Sequence, residues 1–142
     1  MRTTLVAGFV PALLVLLFMY TGFTKLFAPI AFLDTLYKQP FPHFLSDRLV
    51  YLIPSLEIAI AICLFFEKTR TAGLYGACTL LTLFTLYIAA ILLHFFYKTP
   101  CSCGGIFRHL SWQQHLWVNI LLTGLVITSL IHRAKQPISI TS

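Results

Sequence analysis

The residues best equipped for chemistry are Cys101 and Cys103, in the run Cys101-Ser102-Cys103-Gly104-Gly105. Two thiols one residue apart can carry an electron pair as dithiol and disulfide. A disulfide across i and i+2 closes a small strained ring, which makes it easily reduced. Exchange needs a thiolate, and nearby cations favour that form. Lys98, Arg108 and His109 flank the pair. Two thiolates with His94 or His109 would also suit a soft metal ion, although the spacing matches no strong zinc pattern. A static disulfide, or two idle thiols, is the third reading. Redox exchange is the reading that best fits the surroundings.

The second chemical residue is Glu57, which stands inside a long apolar segment. An ionisable side chain at membrane depth is expensive and marks a candidate site. Lys25, at the end of the preceding apolar segment, is the expected partner. The pair can tie two helices together, or it can relay a proton into the bundle.

Four apolar segments must position these groups: about Leu5–Phe23, Leu49–Phe66, Thr71–Phe96 and Ser111–Ile131. Each approaches the roughly 20 residues that a helix needs to cross the hydrocarbon core. Runs this long exclude the alternating strands of a barrel, so the expected fold is an all-α integral membrane four-helix bundle. Of 142 residues 58% are apolar, and only 10 basic and 4 acidic side chains are present. That is too little charge to cover a soluble domain. The net charge of +6 is spread over loops and ends. It reads as headgroup contact and topology signal, not nucleic-acid binding. The first segment lacks a small-x-small cleavage pattern and reads as an uncleaved helix, not a signal peptide.

Charge counting for orientation ties. Arg2, Lys68, Arg70, Arg133 and Lys135 fall on one side, and Lys25, Lys38, Arg48, Lys98 and Arg108 on the other. The first group lies closer to helix ends, which places both termini in the cytoplasm and the cysteine turn outside a bacterial inner membrane.

Local signals refine this picture. The loop from about Thr24 to Arg48 mixes aromatic, proline and apolar residues, which predicts a short interfacial helix. Pro54 should free a carbonyl and bend the second span. The second and third spans should form a tight hairpin, with Gly73-x-x-Gly76 allowing close packing. Pro100 ends the third span, and Gly104-Gly105 ease the turn that follows. Ser111 and Gln114 fit a capping box that starts the fourth span. Cys63 and Cys78 read as small buried hydrophobes. Trp112 and Trp117 read as interfacial anchors, and His132 as an interfacial side chain.

Threaded this way, polar residues collect at one end. Tyr20, Lys25, His94, Tyr97, His115 and Asn119 share the membrane half that carries the cysteines. Glu57 lies about eight residues into its span, roughly 12 Å deep. Lys25, His94, His115 and Asn119 are therefore candidate ligand-binding residues, and Cys101, Cys103 and Glu57 candidate catalytic ones. The aromatic-rich outer half suggests a quinone as a possible cofactor.

Gly22-x-x-Lys25, Pro54-x-x-Glu57, the Cys101–Gly105 turn and Trp112-x-x-His115-x-x-x-Asn119 together resemble the MauE family within the DoxX-like superfamily of four-helix membrane proteins. The resemblance covers nearly the whole chain. It implies a membrane protein linked to disulfide formation or electron transfer outside the cytoplasm. In the system that names the family, it implies maturation of the disulfide-rich small subunit of methylamine dehydrogenase. Nothing in composition or spacing indicates methylamine. The expected partner is a periplasmic thioredoxin-like or substrate protein. The competing expectations are a non-catalytic subunit that docks or stabilises a redox enzyme, and a soft-metal handling protein.

Overall fold

The structure is a computed structural model that describes residues 2–95 and 111–135. Its described residues form five helices: α1 (Arg2–Phe27), α2 (Pro29–Tyr37), α3 (His43–Phe65), α4 (Arg70–Leu92) and α5 (Trp112–Lys135). Four are long and apolar enough to span a bilayer, and α2 is the short helix expected in the first loop. The chain is a helical membrane bundle in which α1 packs mainly on α3 and α4 mainly on α5. Contacts between α3 and α4, and between α1 and α5, close the ring.

One stripe of each long helix faces the core. On α1 it runs Val10, Leu14, Phe18 and Gly22, and on α3 it runs Val50, Pro54, Glu57, Ala61 and Leu64. These steps of three and four residues keep one face of a helix inward. Leu74, Ala77 and Leu81 of α4 meet Leu122 and Val126 of α5 in the same core. Large apolar side chains such as Leu16, Leu83, Leu86 and Leu121 point outward, as a lipid-facing surface requires.

The α3–α4 connection is short, and its polar groups are satisfied locally. The Thr69 hydroxyl donates to the Cys63 carbonyl (2.9 Å), and the Arg70 Nε donates to the Leu64 carbonyl (3.1 Å). These two side chains cap carbonyls that the end of α3 leaves without intrahelical partners. Behind the turn the helices nearly touch. A Cβ on Gly73 would lie 2.8 Å from the Leu64 backbone nitrogen. Gly76 is looser, its would-be Cβ meeting Ile60 Cγ1 at 3.2 Å. The Gly73-x-x-Gly76 pair thus serves close packing within the hairpin. Cys63 and Cys78 are free and half-buried, with Cys78 packed against the core cluster.

Boundaries depart from the sequence reading in every long helix, the first span, expected over Leu5–Phe23, running from Arg2 to Phe27. The helix expected to begin at Leu49 begins at His43. Its first turns carry His43, Ser46, Asp47 and Arg48, which read as loop but extend α3 beyond the end of α1. That overhang packs on α2, where Phe32 and Leu36 meet Val50. The Ser46 hydroxyl donates to the Leu36 carbonyl (3.4 Å), and Tyr37 donates to Asp47 (2.5 Å). The latter bond holds the Tyr37 phenol above its usual range. The helix expected to reach Phe96 ends at Leu92, and the last span runs on to Lys135 instead of Ile131. Pro54 is buried within an unbroken α3, where it removes the bond to the Val50 carbonyl.

α4 ends in a Schellman motif. The Phe95 N–H donates to the Ala90 carbonyl and the His94 N–H to the Ile91 carbonyl, both at 3.0 Å. The residue between cap and exit is His94, in the left-handed region at φ 54°. Glycine normally takes this place because a Cβ is strained there.

Two stability predictions follow from these contacts. Gly73→Ala should lose about 1–3 kcal/mol, because backbone cannot move aside. Gly22→Ala, which meets Ile58 Cγ1 at 2.9 Å, should lose less. Thermal unfolding of the purified protein in detergent ranks them, and equal losses would contradict the backbone clash at Gly73. His94→Val should lower stability by about 1–2 kcal/mol, with His94→Gly at or above wild type. The same assay checks it.

Candidate functional site

Lys25 and Glu57 meet because their helices approach closely beside them. Gly22 and Lys25 share a face of α1, as Pro54 and Glu57 share a face of α3. A Cβ on Gly22 would stand 3.4 Å from the Pro54 carbonyl oxygen and 3.5 Å from Glu57 Cβ. With no side chain at Gly22, the Lys25 Nζ reaches Glu57 Oε1 at 2.5 Å. The Glu57 side chain is 4% exposed and that of Lys25 is 17% exposed. The ammonium also sits 5.5 Å from the centroid of the Phe32 ring of α2. The expected pair is therefore present. Glu57 lies fourteen residues after His43, roughly 21 Å along α3, of which the first turns overhang α1. It is level with Gly22, about a turn before the end of α1, and Lys25 reaches back to it from the last turn.

Only half of the carboxylate is satisfied. Glu57 Oε2 is buried and has no hydrogen-bond partner among the described residues. The Thr21 hydroxyl stands nearby but donates to the Phe18 carbonyl of its own helix (3.4 Å). A buried acceptor without a donor is costly, and it is a natural contact for a ligand or water.

Glu57 opens onto a cavity of about 140 Å³ between α1, α3, α4 and α5. Its polar lining is Tyr20, Thr21, Thr24, Lys25, Glu57, Tyr87, His115 and Asn119. His115 and Asn119 continue the core stripe of α5 that runs Leu122, Val126 and Ser129. The site is thus the polar end of the same stripes that form the apolar core. Two signals were legible in the sequence: Lys25 opposite Glu57, and the i, i+4 pair His115 and Asn119. Tyr87 was missed. It stacks on Phe41, with centroids 5.5 Å apart, and donates a hydrogen bond to Gln39. No periodicity links positions so far apart in the chain, although Tyr87 shares a helix face with Phe84, another lining residue.

The other candidates separate. His94 is exposed beyond the end of α4 and does not line the cavity; it acts as a helix cap. Cys101 and Cys103, with Lys98, Arg108 and His109, lie outside the described residues. The residues that bound that segment, Phe95 and Ser111, sit at the end of the bundle that holds the cavity. Ser111 fixes the start of α5 through the expected capping box. Its hydroxyl accepts from the Gln114 N–H (3.3 Å), while its own N–H donates to the Gln114 side chain (2.9 Å). Among the described residues no group of three His, Cys, Asp or Glu side chains is placed to hold a metal.

Four membrane-spanning helices around a buried ion pair and a polar cavity define a multi-pass membrane protein with an intramembrane polar site. The chain matches the family model of methylamine utilisation protein MauE over residues 3–132. It belongs to that family, and it is a membrane protein of a group associated with methylamine utilisation. Neither a curated protein nor a solved structure matches it.

The ion pair makes a stability prediction. Lys25→Met leaves a buried carboxylate unpaired and should lose about 3–5 kcal/mol. The double variant Lys25→Met/Glu57→Leu should recover most of that loss. Detergent unfolding curves of the single and double variants test this coupling, and strictly additive losses would show the two side chains to be independent.

Proposed function

We propose that this protein is a thiol–disulfide redox protein whose working sulfurs are Cys101 and Cys103. They face a periplasmic thioredoxin-like or substrate protein, with both termini of the chain in the cytoplasm. The observation that supports this reading is the cavity. It gathers the titratable and hydrogen-bonding groups of four helices at the end of the bundle from which the cysteine segment departs.

The exchange is balanced in atoms and electrons. A thiolate of the partner's dithiol attacks one sulfur of the Cys101–Cys103 disulfide, forming a mixed disulfide and freeing one cysteine. The partner's second thiolate then displaces the other cysteine. The partner leaves as a disulfide, and Cys101 and Cys103 remain as thiols. Two electrons and two protons must then leave the pair before the next turnover. Glu57 and Lys25 provide a buried acceptor and donor at membrane depth, and this pair is the proton-handling element.

Thiol trapping in membranes tests the proposal. Alkylation before and after mild reductant should convert Cys101 and Cys103 between blocked and labelled states, with Cys63 and Cys78 unchanged. Cys101→Ser/Cys103→Ser should abolish oxidation of the partner. A serine variant that keeps full activity and partner binding would establish instead a subunit that docks or stabilises a redox enzyme. Stoichiometric metal that disappears in that variant would displace the redox reading.

A further inference from the structure

A second cavity lies beside the first. It holds about 390 Å³ and is almost wholly apolar, lined by Phe32 and Leu36 of α2, Leu52 and Leu56 of α3, and Leu80 and Leu83 of α4, and it opens to the lipid-facing surface, where Leu52, Leu56 and Leu83 are exposed. Lys25, Phe84 and Tyr87 line both cavities, so a polar chamber and an apolar chamber adjoin along one edge. The hydrogen bond from Tyr87 to Gln39 and the stacking of Phe41 on Tyr87 hold the segment after α2 against α4 there.

We propose that the two chambers form one site for an isoprenoid quinone, its ring against Lys25 and Glu57 and its tail in the apolar chamber. As a binding site this stands on the cavities. As the electron acceptor for Cys101 and Cys103 it rests on the thiol–disulfide reading.

Three features select this occupant. The polar chamber, at about 140 Å³, matches the cavities of about 150 Å³ that accept one six-membered ring. Its chemistry is two-sided. The Lys25 ammonium carries three N–H groups and gives one to Glu57 Oε1, leaving donors for a ring carbonyl. Glu57 Oε2 lacks a donor among the described residues and is matched by a ring hydroxyl. A quinone presents carbonyls and its reduced form presents hydroxyls, so one ion pair serves both states. A phospholipid phosphate offers only acceptors and negative charge, and would meet the buried carboxylate unfavourably. The third feature is the apolar chamber, whose lining is that of a hydrocarbon tail site.

The redox balance also closes. Oxidation of Cys101 and Cys103 breaks two S–H bonds, forms one S–S bond, and releases two electrons and two protons. Reduction of two ring carbonyls to hydroxyls takes up both.

Binding is best measured on Cys101→Ser/Cys103→Ser protein in phosphatidylcholine nanodiscs, where those thiols cannot add to the ring. Calorimetry with a decyl-tailed benzoquinone and with tailless benzoquinone should show tighter binding of the tailed probe, about tenfold or more. Adding Lys25→Met/Glu57→Leu should weaken both probes about tenfold. Adding Leu80→Trp, which fills the apolar chamber, should weaken only the tailed probe. A photoreactive tailed benzoquinone on otherwise unaltered protein should label peptides carrying Tyr20–Lys25 or Phe84–Ile88, a readout that survives if a variant does not fold. Equal affinity for the two probes, label confined to other segments, or displacement by phosphatidylglycerol would overturn the site. Thiol trapping is independent of these readouts, so loss of quinone binding and loss of cysteine turnover are separate results.

Discussion

A carboxylate in the core stripe of a membrane-spanning helix is the constraint around which this bundle is arranged. Glu57 occupies the inward position between Pro54 and Ala61, where its neighbours along the stripe are apolar. Hydrocarbon offers no solvent for that charge, so a cation must reach it from another helix. Lys25 does so from the last turn of α1, and the register of α1 against α3 is fixed by the requirement. Gly22 removes the side chain that would hold the helices apart, and Phe32 covers the ammonium from α2. The short helix, the overhang of α3 and the cavity wall are all placed by where that cation must stand.

Much of this was legible in the chain because membrane helices advertise themselves by length and apolarity. The four spans, the capping box at Ser111 and Gln114, the tight hairpin and the short helix after Lys25 were all readable from local signals. The partnership of Lys25 and Glu57 was readable because few charges occur within the spans. The start of α3 was not, since His43, Ser46, Asp47 and Arg48 are polar and the helix there is held by α2 instead of by lipid. The role of His94 was also hidden. A histidine beside thiols invites a chemical reading, whereas its backbone shows a helix end with a residue where glycine is usual. The contact of Tyr87 with Gln39 depends on tertiary folding alone.

The two ends of the bundle are built to different densities. At the hairpin end, Gly73 brings α4 against the backbone of α3, and Leu64, Leu74 and Val126 are almost fully buried. At the other end, aromatic and polar side chains (Phe84, Tyr87, Tyr20 and His115) keep the helices apart and leave two chambers between them. The packed end holds the helices at fixed spacing, so the open end can keep unfilled space without collapsing. Tight packing and open space are thus divided along the bundle axis, and the polar cavity lies at the open end.

The capped turn between α3 and α4 bears on how such a chain enters a bilayer. Thr69 and Arg70 satisfy carbonyls at the end of α3 without help from any other helix, so these two helices form a self-contained unit. Translation runs from α1 onward, so Lys25 leaves the ribosome before Glu57 does. A cation on the neighbouring helix is thus available as the hairpin carries its carboxylate into the hydrocarbon. Order along the chain thereby becomes order of assembly, and the acidic side chain need never cross the bilayer alone.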